Sequence, residues 1–77
     1  MLTATFQTRL RELRIEHELT QDALAEQINT TGDSVYSWEK GRSEPSIAMI
    51  CNICRIFEVS ADYLLGMEDE TGAKHYR

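Results

Sequence analysis

The sequence has little of what builds anything but a small helical domain. One proline and four glycines stand among 77 residues, each where a helix should stop, so loops are few and short. Two cysteines three apart cannot staple separate parts of a fold, which points to a reducing, cytoplasmic setting. No apolar run approaches the roughly 20 residues of a membrane span, and no leader pattern opens the chain. No Ser-His-Asp set, phosphate-cradling glycine loop or paired-carboxylate spacing is present, so neither catalysis nor a cofactor is expected. A surplus of positive charge is missing too. The formal net charge is −5, of which residues 67–77 carry −1 and residues 1–66 carry −4. That is awkward for a partner of nucleic acid, because affinity for DNA rests largely on phosphate neutralisation. The placement of the cations therefore matters more than their sum.

What is present is helical periodicity, clearest from Thr20 to Arg42. Thr20 can cap a helix by accepting an orphan N–H of its first turn. Leu24, Ala25 and Ile28 then form one apolar stripe. Asn29-Thr30-Thr31 interrupts it with residues that bond their own backbone, and Asn tolerates positive φ. Thr31 is the expected cap of the next helix. Val35 and Trp38 give that helix its inner face, and Gly41 ends it in a left-handed conformation. Two helices joined by so short a turn must cross steeply, the geometry of a helix-turn-helix.

On either side the pattern continues. Residues 1–4 should fray. Phe6, Leu10 and Leu13 form the stripe of a first helix from Thr5 to His17, whose other faces carry Arg9, Arg11 and Arg14. Ser43-Glu44-Pro45 is a loop, since Pro45 bars a helix from continuing through it. Ser46 caps a fourth helix in which Ile47, Ile50, Ile53, Cys54 and Phe57 recur. Met49 and Ile56 make that helix apolar on much of its surface and imply a central position. Ser60 caps a short fifth helix, Ala61 to Leu65, closed by Gly66. Residues 1–66 thus read as one all-α domain of five helices, and residues 67–77 as a polar, flexible tail.

Four segments, RLRELR (9–14), LTQDALAEQI (19–28), SVYSWEKGRSEP (34–45) and VSADYLLG (59–66), resemble in this order the phage repressor and Cro type of helix-turn-helix domain, also called XRE-type. The resemblance covers about Phe6 to Gly66. It implies a compact lambda-repressor-like fold with the helix-turn-helix at helices two and three, and a recognition helix beginning near Thr31.

The resemblance also distributes roles. Gln21 matches a glutamine that lies against a DNA phosphate, where free N–H groups at a helix start favour an anion; the plain alternative is a solvated surface residue. Gly32, Asp33 and Ser37, with Tyr36 beside them, match positions that face base edges. Gly32 has no side chain to read with. Asp33 can accept from a cytosine amino group, or merely stabilise its helix through the dipole. Arg14 and Glu39 match a salt bridge between the first helix and the end of the third, against the alternative of two solvated charges. Lys40 and Arg42 match a loop that meets the sugar-phosphate backbone, and cations there also suit a helix C-terminus. Thr30, Thr31 and Ser34 are hydroxyl donors to phosphate, with capping as the alternative for Thr31. Arg9 and Arg11 can add phosphate contacts. Cys51 and Cys54, a C-x-x-C, lack the four ligands of a zinc site or the βαβ setting of a redox motif and read as small core residues.

Two functions follow. One is a sequence-specific DNA-binding transcriptional regulator, a repressor acting as a homodimer on double-stranded DNA, with Tyr63, Leu65 and Met67 as an exposed apolar dimer patch. The other is an interaction module of the same fold, antitoxin-like or cofactor-like, that meets a protein partner instead. The net charge and the poorly equipped Gly32 and Asp33 support the second.

Overall fold

The structure, a computed structural model, describes residues 4–69 and 71–74. The fraying expected at residues 1–3 lies outside them, and Ala4 is already helical. Five helices follow one another: α1 (Ala4–Glu16), α2 (Gln21–Gln27), α3 (Gly32–Lys40), α4 (Ile47–Phe57) and α5 (Ala61–Leu64). Among the described residues there is no strand, only an isolated antiparallel bridge between Glu68 and Lys74. No described helix is long and apolar enough to cross a membrane.

Hydroxyls start four of the helices. Thr20 accepts from the Ala23 N–H, Thr31 from Ser34, Ser46 from Met49 and Ser60 from Tyr63. Each satisfies one of the donors that a helix start leaves unpaired. The helix ends share a device as well. Glu18, Asn29, Gly41, Glu58 and Gly66 all have positive φ. In each case the next N–H reaches back five residues: Leu19 to Arg14, Thr30 to Ala25, Arg42 to Ser37, Val59 to Cys54 and Met67 to Asp62. This is the Schellman closure, made here as readily on glutamate as on glycine. Gly32 departs from the rule expected for the glycines, because it opens α3 instead of ending a helix.

The core is built from Phe6, Leu10 and Leu13 of α1, Leu24, Ala25 and Ile28 from α2, and Val35 and Trp38 of α3. Ile53 and Phe57 of α4 and Leu64 of α5 complete it. Burying each of the larger aliphatic or aromatic side chains contributes about 1.5–3 kcal/mol. The helix-turn-helix is therefore anchored through α1, against which both α3 and α5 pack, while α4 joins the same core against α5. The central position expected for α4 is not found. Ile47 is 84% exposed and Cys51 is exposed too, so α4 buries only one face. Nor do Tyr63, Leu65 and Met67 form an outward patch. Tyr63 and Leu65 pack half-buried against the core, and Met67 alone stays exposed.

Beyond α5 the chain turns back on itself. Asp69 Oδ1 accepts from the Thr71 N–H (2.9 Å), the Thr71 hydroxyl (2.6 Å) and the Ala73 N–H (3.1 Å). Lys74 Nζ reaches Glu68 Oε1 at 2.6 Å and Asp62 Oδ2 at 3.1 Å. Hydrogen bonds from Lys74 and then Ser60 hold the Glu68 carboxyl below its usual range. Those that Lys74 gives to Glu68 and Asp62 hold its ammonium above the usual lysine range. Arg9 fastens this turn to α1, donating to the Tyr63 and Glu68 carbonyls and stacking 4.1 Å from the Tyr63 ring centroid.

Candidate nucleic-acid interface

Three helix ends meet at one carboxylate. Arg14 lies in the last turn of α1 and Glu39 in the last turn of α3. Arg14 donates from Nε to Glu39 Oε2 at 2.7 Å and from Nη2 to Oε1 at 3.1 Å. Its remaining nitrogen, Nη1, donates to the Leu19 carbonyl at 2.9 Å. Gln21, the first residue of α2, donates from Nε2 to the same Glu39 Oε1 at 3.2 Å. The two charges are 13% and 4% exposed, so this is a nearly buried, bidentate pair and not two solvated charges. The consequence is geometric: the end of α3 cannot rotate without breaking its tie to α1 and to the start of α2.

Above the pair lies an open groove of about 440 Å³, lined by Arg11, Arg14, Thr20, Gln21, Tyr36, Glu39 and Lys40. Glu39 is already matched by Arg14, so the charges left facing the groove are Arg11 and Lys40. The Gln21 amide has a second hydrogen, and the first turn of α2 adds backbone N–H donors. Cations at the rim and neutral donors at the floor are what a phosphate needs. Arg11 belongs to this groove, whereas Arg9 is turned to the C-terminal segment.

The outer face of α3 carries Asp33, Tyr36 and Lys40, all exposed, with Ser37 half-buried between them. Their spacing of three and four residues puts them on one stripe. The Tyr36 ring is flanked by Lys40 Nζ, 5.7 Å from its centroid, and by the Arg42 guanidinium, 5.5 Å away. Gly41, at φ 74°, makes the turn that brings Arg42 back beside Tyr36. Tyr36 thus lines the groove together with Lys40, with Arg42 beside its ring as well.

The hydroxyls at the head of α3 are engaged with one another. Thr31 Oγ1 lies 3.0 Å from Ser34 Oγ and accepts from the Ser34 N–H, so capping is its role within the fold. Thr30 is half-buried and closes α2 through its backbone. Gly32 opens the helix, and the Asp22 carboxylate of α2 lies directly beside it. Nothing in the sequence pattern singled out Asp22, since its nearness to Gly32 arises only when the turn folds.

The C-x-x-C pair stands away from this face. Cys54 is half-buried against the core as expected, but Cys51 is exposed. Burial and then the neighbouring Cys51 push the Cys54 thiol up, which disfavours the reactive thiolate. Among the described residues no three His, Cys, Asp or Glu are grouped to hold a metal. His17 packs its ring 4.8 Å from that of Phe57 and donates from Nδ1 to the Leu13 carbonyl.

A helix-turn-helix family model matches residues 10–64. The chain is 36% identical over 66 residues to YobD of Bacillus subtilis, an uncharacterised HTH-type transcriptional regulator, matching 86% of this chain and 59% of that protein. It therefore spans about three fifths of that relative's length. It is 37% identical over 67 residues to an uncharacterised HTH-type transcriptional regulator of Methanothermobacter thermautotrophicus, covering 87% of this chain and 97% of the relative. Among solved structures, the P22 c2 repressor protein in complex with a synthetic operator aligns with a TM-score of 0.75 at 25% identity. That alignment covers 78% of this chain and 91% of the repressor chain.

Proposed function

We propose that this chain, which belongs to the helix-turn-helix family, is a sequence-specific DNA-binding transcriptional regulator, acting as a repressor in the cytoplasm. The observation that carries the reading is the groove at the start of α2. There Gln21 is held by Glu39, while Arg11 and Lys40 line the groove with no ion pair to an acid among the described residues. A phosphate seated there sets the depth at which α3 enters the major groove, where a helix-turn-helix lays its second helix. Lys40, Arg42 and the donors Thr30, Thr31 and Ser34 hold neighbouring phosphates, while Asp33 and Ser37 meet base edges and Tyr36 packs beside them. The net charge of −5 is no obstacle. Screening at physiological salt confines each acid's influence to about 8 Å, and the local balance at this groove is positive.

One such domain buries too little surface for tight specific binding, so it works as a homodimer on a palindrome, with half-sites about 34–36 Å apart. Similarity to the operator-bound repressor supports this docking. The protein-partner reading keeps only the acids at the head of α3 in its favour. Selection from a randomised duplex pool tests the proposal. The expected result is a palindromic consensus with half-sites one helical turn apart, and the absence of any enriched sequence overturns it.

A further inference from the structure

Glycine at position 32 is not demanded by its backbone. It is the first residue of α3, and its φ is not among the positive values found at Gly41, Gly66 and Gly72. That backbone accepts any residue. What glycine provides is room, and the room is taken. A Cβ at residue 32 would stand 1.8 Å from Asp22 Oδ1 and 3.0 Å from Asp22 Cγ. The carboxylate of α2 thus occupies the place where the first side chain of α3 would begin. Asp22 is exposed, and among the described residues its side chain takes part in no hydrogen bond or ion pair. An acid in the first turn of α2 is explained by the helix dipole. Its seat against Gly32 at the head of another helix is not.

We propose that Asp22 reads a base in place of the missing side chain at position 32. The inference rests on the docking proposed above, in which the head of α3 enters the major groove. At that depth a carboxylate can only accept hydrogen bonds. Guanine presents two acceptors, N7 and O6, and thymine presents O4, so both repel it. Adenine offers an amino group, but its N7 acceptor lies alongside. Cytosine offers its N4 amino group with no acceptor beside it. Asp22 therefore selects cytosine at one base pair of each half-site, as much by rejecting the other three bases as by its own hydrogen bond.

The test is site selection from a random duplex pool with the wild-type chain, Asp22→Asn, Asp22→Ala and Gly32→Ala. Asp22 is a surface residue, so its variants fold. Gly32→Ala needs only the end of a flexible side chain to move aside. The wild type is expected to prefer cytosine about tenfold at one position per half-site. Asp22→Ala abolishes that preference and leaves the others unchanged. Asp22→Asn shifts it toward adenine, which an amide can meet at N6 and N7. Gly32→Ala displaces the carboxylate and weakens the same preference. A wild-type consensus that survives Asp22→Ala unchanged overturns this assignment alone, as does a loss spread evenly over all positions. A wild type that selects no sequence overturns the docking and this assignment together.

Discussion

Arg14 and Glu39 hold each other through two hydrogen bonds of 2.7 and 3.1 Å, and the same carboxylate holds Gln21 at 3.2 Å. One nearly buried ion pair therefore sets both the angle of α3 and the position of a phosphate donor. Removing one partner leaves an uncompensated charge in a nearly dry site. Glu39→Ala is accordingly expected to destabilise the domain by about 3–5 kcal/mol in urea unfolding, whereas replacing both residues with apolar ones of similar volume costs far less. Equal losses in the single and double variants would mean that the pair is no more than a surface contact.

Contacts to phosphate and contacts to bases separate by what their loss does. Gln21→Ala and Arg42→Ala should weaken binding to every duplex alike, and Arg42→Ala, which removes one phosphate contact from each protomer, should lower the dimer's salt slope by about 2. Asp33→Ala and Ser37→Ala should instead change which bases are preferred. Affinities measured on a selected site and on a scrambled duplex distinguish the classes, and a reversal between them contradicts the docking described above.

The turn after α3 depends on one glycine. Gly41 has φ 74°, and a Cβ there would meet the Gln7 side-chain nitrogen at 2.4 Å. Gly41→Ala is expected to cost about 1–2 kcal/mol from the left-handed backbone alone, with a further loss of DNA affinity as Arg42 swings away from Tyr36. Thermal unfolding together with binding measures both.

The C-terminal turn should be sensitive to acid. The Glu68 carboxyl lies below its usual range because Lys74 and Ser60 donate to it, so its contribution is complete above the ordinary glutamate value. That contribution is lost as pH falls through the lowered one. Lys74 is raised, so its contribution holds below the ordinary lysine value and fades only as pH climbs past it. Amide chemical shifts of Thr71 and Gly72 should therefore stay constant through neutrality and move on acidification. Lys74→Met should shift that transition toward higher pH.

Much of this architecture was legible because it rests on local chemistry. Thr20, Thr31, Ser46 and Ser60 announce helix starts by hydroxyls set before apolar stripes, and all four cap as read. The stripes of Phe6, Leu10 and Leu13 and of Val35 and Trp38 name the core. What periodicity cannot show is which side of a helix finds a partner. The α4 helix is apolar around most of its circumference, yet Ile47 faces solvent while Ile53 and Phe57 are buried in the core. The left-handed closures on Glu18 and Glu58 carry no signal, since glutamate has no preference for positive φ. The candidate site was legible where the family resemblance pairs two residues, as with Arg14 and Glu39. It was hidden where the contact is made by the turn itself. Asp22 against Gly32 is adjacency across a fold, and Arg9 is drawn off by carbonyls of Tyr63 and Glu68 far along the chain.

If this face grips DNA through its phosphates, binding to a duplex carrying the selected site must weaken steeply as salt rises from about 50 to about 200 mM. With Arg11, Lys40 and Arg42 of each protomer on phosphates, the logarithm of the binding constant should fall against that of salt with a slope of about −5 for a dimer. No affinity at about 50 mM salt, or binding that does not respond to salt, would contradict the account.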